Sequence, residues 1–187
     1  MIGVDIDGVL ANYESSFIPL LIKASEGRVI VPYTYIPTCW NWHTALGFTD
    51  AEVKHAWAMR DEDESFWAEL DERPEAREFA EFVEDELDPN VDVYFITDRP
   101  GKGAKLSTEG WLVDVGFTNP TVLISARKAA LCTALNITHY IDDKNENCLS
   151  VYEEGCSKVF MCAQPWNSSI NIPRGSLMDF AEFIRAN

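Results

Sequence analysis

Val91-Asp92-Val93-Tyr94-Phe95-Ile96, closing on Thr97-Asp98-Arg99, is the stretch that decides the fold. Its β-branched and aromatic residues predict a strand, and from there onward short apolar runs alternate with helical segments. Ala104 to Val115 reads as a helix, Thr121-Val122-Leu123-Ile124 as a strand, and about Ala126 to Leu135 as a second helix. His139-Tyr140-Ile141, a helix near Glu146 to Tyr152, and Lys158-Val159-Phe160-Met161 repeat the pattern. Ser176 to Ala186 ends it, with Leu177, Phe180, Ala181 and Ile184 on one helical face behind Ser176 as N-cap. Working back to the start, Ile2-Gly3-Val4 supplies a further strand. A β/α alternation of this kind predicts an α/β fold built on a parallel, doubly wound sheet.

Residues 13–88 interrupt the alternation with helical signal. Thr49-Asp50-Ala51-Glu52 has capping-box spacing and predicts a helix to about Met59. Pro74 stands at a helix start, after which Ala76, Phe79, Ala80, Val83 and Leu87 recur at helical spacing. Between Gly27 and Gly47 lies an irregular, aromatic-rich stretch with Tyr33, Tyr35, Trp40, Trp42 and His43. The reading is a core of residues 1–12 and 89–187 with a mostly helical insertion of residues 13–88.

Composition narrows the function. The chain has 187 residues, 47% of them hydrophobic, which is enough for a real core. No apolar run approaches the length of a membrane span, and Met1 leads directly into a strand without a signal-peptide pattern. Five cysteines without a CxxC pair read as thiols of a reducing, cytoplasmic setting. A net charge of −16 argues against broad nucleic-acid binding, while a bound cation can still reverse the field inside one pocket for a small anion. A homodimer is compatible with these features.

In an open α/β sheet, ligands gather at the carboxyl ends of the strands. After the first strand stand Asp5, Asp7 and Gly8; after the strand at 91–96 stand Thr97, Asp98 and Arg99; after Ile141 stand Asp142 and Asp143. Asp5, Asp7, Asp142 and Asp143 converging on one edge repel one another unless a cation neutralises them or some of the acids are protonated. Oxygen-only ligands suit Mg²⁺. Lys128, with Arg127, falls in the first turn of a helix, the wrong end of the macrodipole for positive charge, so a bound anion would relieve it.

These residues resemble a known family. Asp5-Ile6-Asp7-Gly8-Val9-Leu10 looks like the first motif of the haloacid dehalogenase-like phosphatases, Thr97 their second, Lys128 their third, and Asp142-Asp143 their acidic fourth. The resemblance implies a Rossmann-like core with a cap inserted after the first strand. It implies Asp5 as nucleophile forming an aspartyl-phosphate, and Asp7 as acid and then base. It further implies Thr97 and Lys128 as phosphate holders, and Asp142 and Asp143 completing the Mg²⁺ site, with Asp143 the direct ligand.

A narrower similarity is to the 5′(3′)-deoxyribonucleotidases. Asp5 to Glu14 resembles their opening, in which the aromatic at Tyr13 faces the base. Ser65-Phe66-Trp67-Ala68-Glu69-Leu70 resembles their cap segment near the base, and Gln164-Pro165-Trp166-Asn167 a turn of related bacterial and phage members. By that likeness Tyr13, Phe66 and Trp67 are substrate contacts. Asp98-Arg99-Pro100 departs from the family, which often has Ser-Pro there. Thr97, Asp98, Arg99 and Lys128 are the phosphate-binding set, with Arg99 and Lys102 both candidates for an additional cation. Trp40 and Trp42 take no role from the resemblance, and His43, His55 and His139 lack metal-binding spacing.

The expected activity is thus Mg²⁺-dependent hydrolysis of a small phosphate ester, a (deoxy)nucleoside monophosphate. The alternatives are a nucleic-acid 3′-phosphatase, another small-molecule phosphatase, and a non-catalytic nucleotide-binding protein.

Overall fold

The computed structural model describes residues 1–187 apart from Tyr33, Ser157, Ser169 and Asn187; Tyr33, read above in the aromatic stretch, therefore lies outside the described residues. Strands β1 (Ile2–Val4), β2 (Val93–Thr97), β3 (Thr121–Ile124), β4 (His139–Asp142), β5 (Lys158–Cys162) and β6 (Arg174–Gly175) form one sheet in the order β3-β2-β1-β4-β5-β6. Every neighbouring pair is parallel. In β1, Val4 stands between Phe95 and Ile141, and the strand is buried throughout. This order reverses direction at β1, and a crevice opens there, beyond the carboxyl ends of β1 and β4.

Alternation along each strand sends side chains to two apolar layers. Phe95, Ile141 and Phe160 face one layer, and Ile96, Tyr140, Val159 and Met161 the other. Helices α5 (Ala104–Val115) and α8 (Leu177–Arg185) cover the first layer; α6 (Lys128–Ala134) and α7 (Asn145–Glu153) cover the second. Ser176 caps α8 reciprocally with Asp179, as its spacing predicts. The two-residue β6 carries no sequence pattern. It exists because Met161 and Ala163 donate backbone hydrogen bonds to Pro173 and Gly175, both at 2.8 Å.

The insertion divides physically. Helices α1 (Tyr13–Ala24), α2 (Trp42–Ala45) and α3 (Asp50–Glu62) enclose their own apolar cluster around Phe17, Leu21, Trp42, Phe48 and Val53. The Thr49–Glu52 capping box forms and starts α3, which runs one turn past Met59. By contrast, Phe66, Trp67, Leu70 and helix α4 (Ala76–Glu81), with the π-helical turn Phe82–Glu86 that continues it, pack into the layer on the sheet. Residues read above as the end of the insertion thus belong to the sheet's own cover, because Phe79 meets Phe117 and Phe180 there.

Tyr13 and Leu20 lie at the seam between the two clusters. At that seam Asn12 N donates to Asp71 O and Arg73 N to Leu10 O, both at 2.8 Å, with Ala11 bridged to Glu72. Outgoing and returning chain are tied together beside the first motif. Among the described residues, no helix is long and apolar enough to cross a membrane.

Candidate active site

Asp5 extends the sheet one residue beyond β1, its N–H donating to Ile141 O at 3.0 Å. Its Oδ1 accepts from the next N–H, Ile6, at 2.7 Å. The chain then turns sharply, with Val9, Leu10 and Ala11 all donating to Ile6 O. Gly8 makes the turn feasible: its φ is +80°, and a Cβ there would lie 2.3 Å from Asp143 Oδ2. The first motif and the acidic loop after β4 are therefore pressed together at a position where only glycine fits.

Lys128 begins α6 and turns inward, while Arg127 beside it stays exposed. Its Nζ lies 2.6 Å from Asp5 Oδ1 and 2.8 Å from Asp142 Oδ2. Asp142 is fully enclosed and also accepts from the Tyr140 hydroxyl at 2.5 Å, from Lys144 N at 2.9 Å and from Asn147 Nδ2 at 3.0 Å. So many donors on one carboxylate fix it and aim Lys128 at Asp5. Tyr140 reaches this position because Gly3 faces it on β1, where a Cβ would come within 2.9 Å of the ring.

Asp5, Asp142 and Asp143 each offer an oxygen within 4.8 Å of the others, and all three are buried. Burial and the Asp142 charge push the Asp5 carboxyl up to about 7 against the pull of Lys128. Burial raises Asp143 well above the carboxylate range, with Asp142 and Asp5 adding to it. Burial opposes the charge on Lys128, but Asp142 and Asp5 outweigh it and hold the ammonium protonated. Three buried carboxylates around one ammonium leave an excess of negative charge, and a hard divalent cation fits that excess and that oxygen donor set.

Asp7 is oriented differently. Arg99 grips it with a two-point fork, Nη2 to Oδ1 at 2.8 Å and Nε to Oδ2 at 3.1 Å, and the Thr97 hydroxyl adds a longer bond at 3.3 Å. The Arg99 side chain has no exposed surface, whereas that of Asp7 keeps 26%. Thr108 accepts a further bond from Arg99 at 3.0 Å, and the guanidinium lies over the rings of Trp67 and Trp111. Expected as a phosphate contact, Arg99 is instead committed to Asp7 in this conformation. Asp7 stands outside the carboxylate cluster that could hold a metal, and Asp98 and Lys102 are exposed.

The expected substrate contacts are largely packed away. Phe66 and Trp67 are 6% and 4% exposed and meet edge to face. Tyr13 is stacked between Phe17 and Trp67, and its hydroxyl accepts from Arg60 at 3.0 Å. Tyr13 borders a cavity of about 180 Å³ between the insertion and Trp166.

The Gln164–Asn167 turn ties the loops together. Gln164 Nε2 donates to Gly8 O at 2.7 Å, and Asn167 Nδ2 donates to Asp143 O and Cys162 O, both at 2.8 Å. Arg174 in turn holds Asn167 Oδ1 at 3.0 Å. Sequence reading singled out this turn without a role. It missed Asn147, Thr108 and Arg60 altogether, since nothing in their spacing marks them. The five cysteines are free thiols.

No family model matches the chain, and no curated protein matches it in sequence. Solved structures do match over their whole length. A haloacid dehalogenase-like family protein from Streptococcus pneumoniae superposes with a TM-score of 0.65 at 12% identity, covering 98% of this chain and 97% of that one. A β-phosphoglucomutase candidate from Thermotoga maritima gives 0.62 at 15% identity, covering 99% and 98%. A phosphoglycolate phosphatase candidate from Lactobacillus plantarum gives 0.60 at 14% identity, covering 97% of each. The fold is that of the haloacid dehalogenase-like hydrolases. At these identities the likeness is one of architecture, and the chemistry rests on the residues above.

Proposed function

We propose that the protein is a Mg²⁺-dependent phosphatase that hydrolyses (deoxy)nucleoside monophosphates through an aspartyl-phosphate on Asp5. One observation carries the reading. Asp5, Lys128, Asp142 and Asp143 meet in a buried cluster at the β1/β4 crevice, with Asp7 aimed by Arg99 beside it. The Asp5 carboxylate attacks phosphorus as the ester oxygen departs, and Asp7 gives that oxygen its proton. Asp7 then takes a proton from water, which attacks the aspartyl-phosphate, frees inorganic phosphate and restores Asp5. Lys128 offsets charge on the incoming phosphoryl oxygens, and Thr97, with Asp98 at the loop's surface, closes the phosphate side. Asp5 and Asp143, with Asp142 behind them, would hold Mg²⁺, which when bound neutralises phosphate charge. Tyr13, beside the small cavity, is the part of the predicted base contact that this reading keeps.

The nucleoside preference rests on the similarity of Asp5–Glu14 and Ser65–Leu70 to the deoxyribonucleotidases. Because the structural neighbours include proteins described as acting on sugar and glycolate phosphates, the test must separate these esters. Phosphate release is measured on nucleoside 5′- and 3′-monophosphates, sugar phosphates and an oligonucleotide 3′-phosphate, with and without Mg²⁺. Mg²⁺-dependent release that is strongest on deoxynucleotides and lost in Asp5→Asn supports the reading. Release from sugar phosphates alone would keep the phosphatase and remove the nucleotidase, and silence on every ester would remove both.

A further inference from the structure

The predicted base contacts Phe66 and Trp67 are buried, yet an aromatic cavity lies between the insertion and the turn after β5. Its walls are Trp42 from α2, Trp57 from α3, Trp40 from the preceding loop, Trp166 from the Gln164–Asn167 turn, and Tyr13 and Glu14 at the start of α1. At about 180 Å³ it is smaller than the ~300–1,000 Å³ typical of pockets for whole drug-sized ligands, so it suits one flat ring system. Trp40 and Trp57 remain 48% and 42% exposed at its rim, although burying indole rings is strongly favourable.

Two further features bear on what would enter. Trp166 closes one side of the cavity. Trp40 meets Trp166 at 6.4 Å between centroids, a T-shaped contact that holds the ring in place. Tyr13, on the same wall, stacks on Trp67, whose ring lies under the Arg99 guanidinium that grips Asp7, so the cavity stands beside the reacting carboxylates.

We propose that this tryptophan cavity, rather than the buried Phe66–Trp67 pair, takes the planar heteroaromatic ring of the substrate's leaving group, with the rim indoles against its face and Glu14 facing ring N–H groups. The inference rests on the nucleoside monophosphate reading and gives it a ring site. A nucleobase meets this chemistry, since it has a π-face for the rim indoles and N–H groups on its edge.

The test compares kcat/KM for a nucleoside monophosphate with that for a ringless ester, glycerol phosphate, in wild type, Trp57→Ala and Trp40→Ala. The ratio of the two is expected to fall about tenfold in each variant, mainly through KM, as loss of one stacking face implies. A ratio within about twofold of wild type in both variants overturns the proposal. Quenching of tryptophan fluorescence by the free nucleoside, which needs no turnover, is the second readout. Quenching that is saturable in wild type and lost in Trp57→Ala supports the ring site even if no ester is hydrolysed, so the phosphatase reading can fail separately. Absence of saturable quenching in wild type overturns the ring site while leaving phosphate release untouched.

Discussion

Arg99 ties a guanidinium that never meets solvent to a carboxylate that does. A fork with two bonds fixes both position and plane of Asp7, which a single ammonium cannot do. Arg99→Lys is therefore expected to lower kcat about a hundredfold with a smaller change in KM, because a small misplacement of a reacting group is enough for such a loss. Arg99→Met, which empties the fork, should also cost about 2 kcal/mol of stability, read from urea unfolding; the exposure of Asp7 keeps this below the loss for a fully buried pair. Gly8→Ala should fail for a different reason. Its Cβ would collide with Asp143, and its φ of +80° disfavours any side chain, so phosphate release should fall with only a modest loss of helical signal in circular dichroism. The residues that sequence made legible are those with a motif around them: Asp5, Asp7, Lys128, Asp142 and Asp143. Arg99 was visible as a cation but not as Asp7's partner, because the fork depends on Thr108 and two indoles from other elements.

Elements hold the site through their ends. The carboxyl edges of β1 and β4 present Asp5 and Asp142, and the turn after β5 binds both of their loops. Asn167→Ala removes donors to Asp143 O and Cys162 O, leaving two buried carbonyls short of a partner. A loss of about 2 kcal/mol in unfolding free energy is expected, together with weaker Mg²⁺ binding by titration calorimetry. A stability loss without any change in Mg²⁺ affinity would show that the turn supports the fold alone. At this scale the sheet was readable because β1 and β4 are buried throughout and β2 and β5 largely so, giving continuous apolar runs. Helices α5, α7 and α8 fell close to their expected bounds for the same reason, each facing a well-filled layer. The allegiance of α4 was not readable, since its apolar stripe fits a cap and a sheet cover equally well, and only Phe117 and Phe180 decide between them.

Over the whole molecule, His139 offers a probe of acid stability. It is buried at the start of β4, and burial, Lys158 and the N-terminal amino group lower its imidazole from an ordinary value near 6.5 to about 4. The folded chain thus binds its proton less readily than the unfolded chain. Its contribution to stability is complete above about pH 6.5 and is lost as pH falls from there toward 4. His139→Phe is expected to flatten this part of the profile relative to wild type, as measured by urea midpoints across pH 4–7. A difference between the two proteins that is constant with pH would refute it.

The pairing of Asn12 with Asp71 and of Leu10 with Arg73 bears on how such a gene can change over time. Both anchors sit on the sheet side of the seam, and the far helices α2 and α3 belong to a cluster of their own. Codons for that distal stretch can be gained, lost or exchanged while the anchors keep their hydrogen bonds and Asp5 keeps its neighbours. Lineages descending from this architecture can therefore acquire new clients by rewriting the excursion alone, with the carboxylate cluster around Lys128 inherited intact.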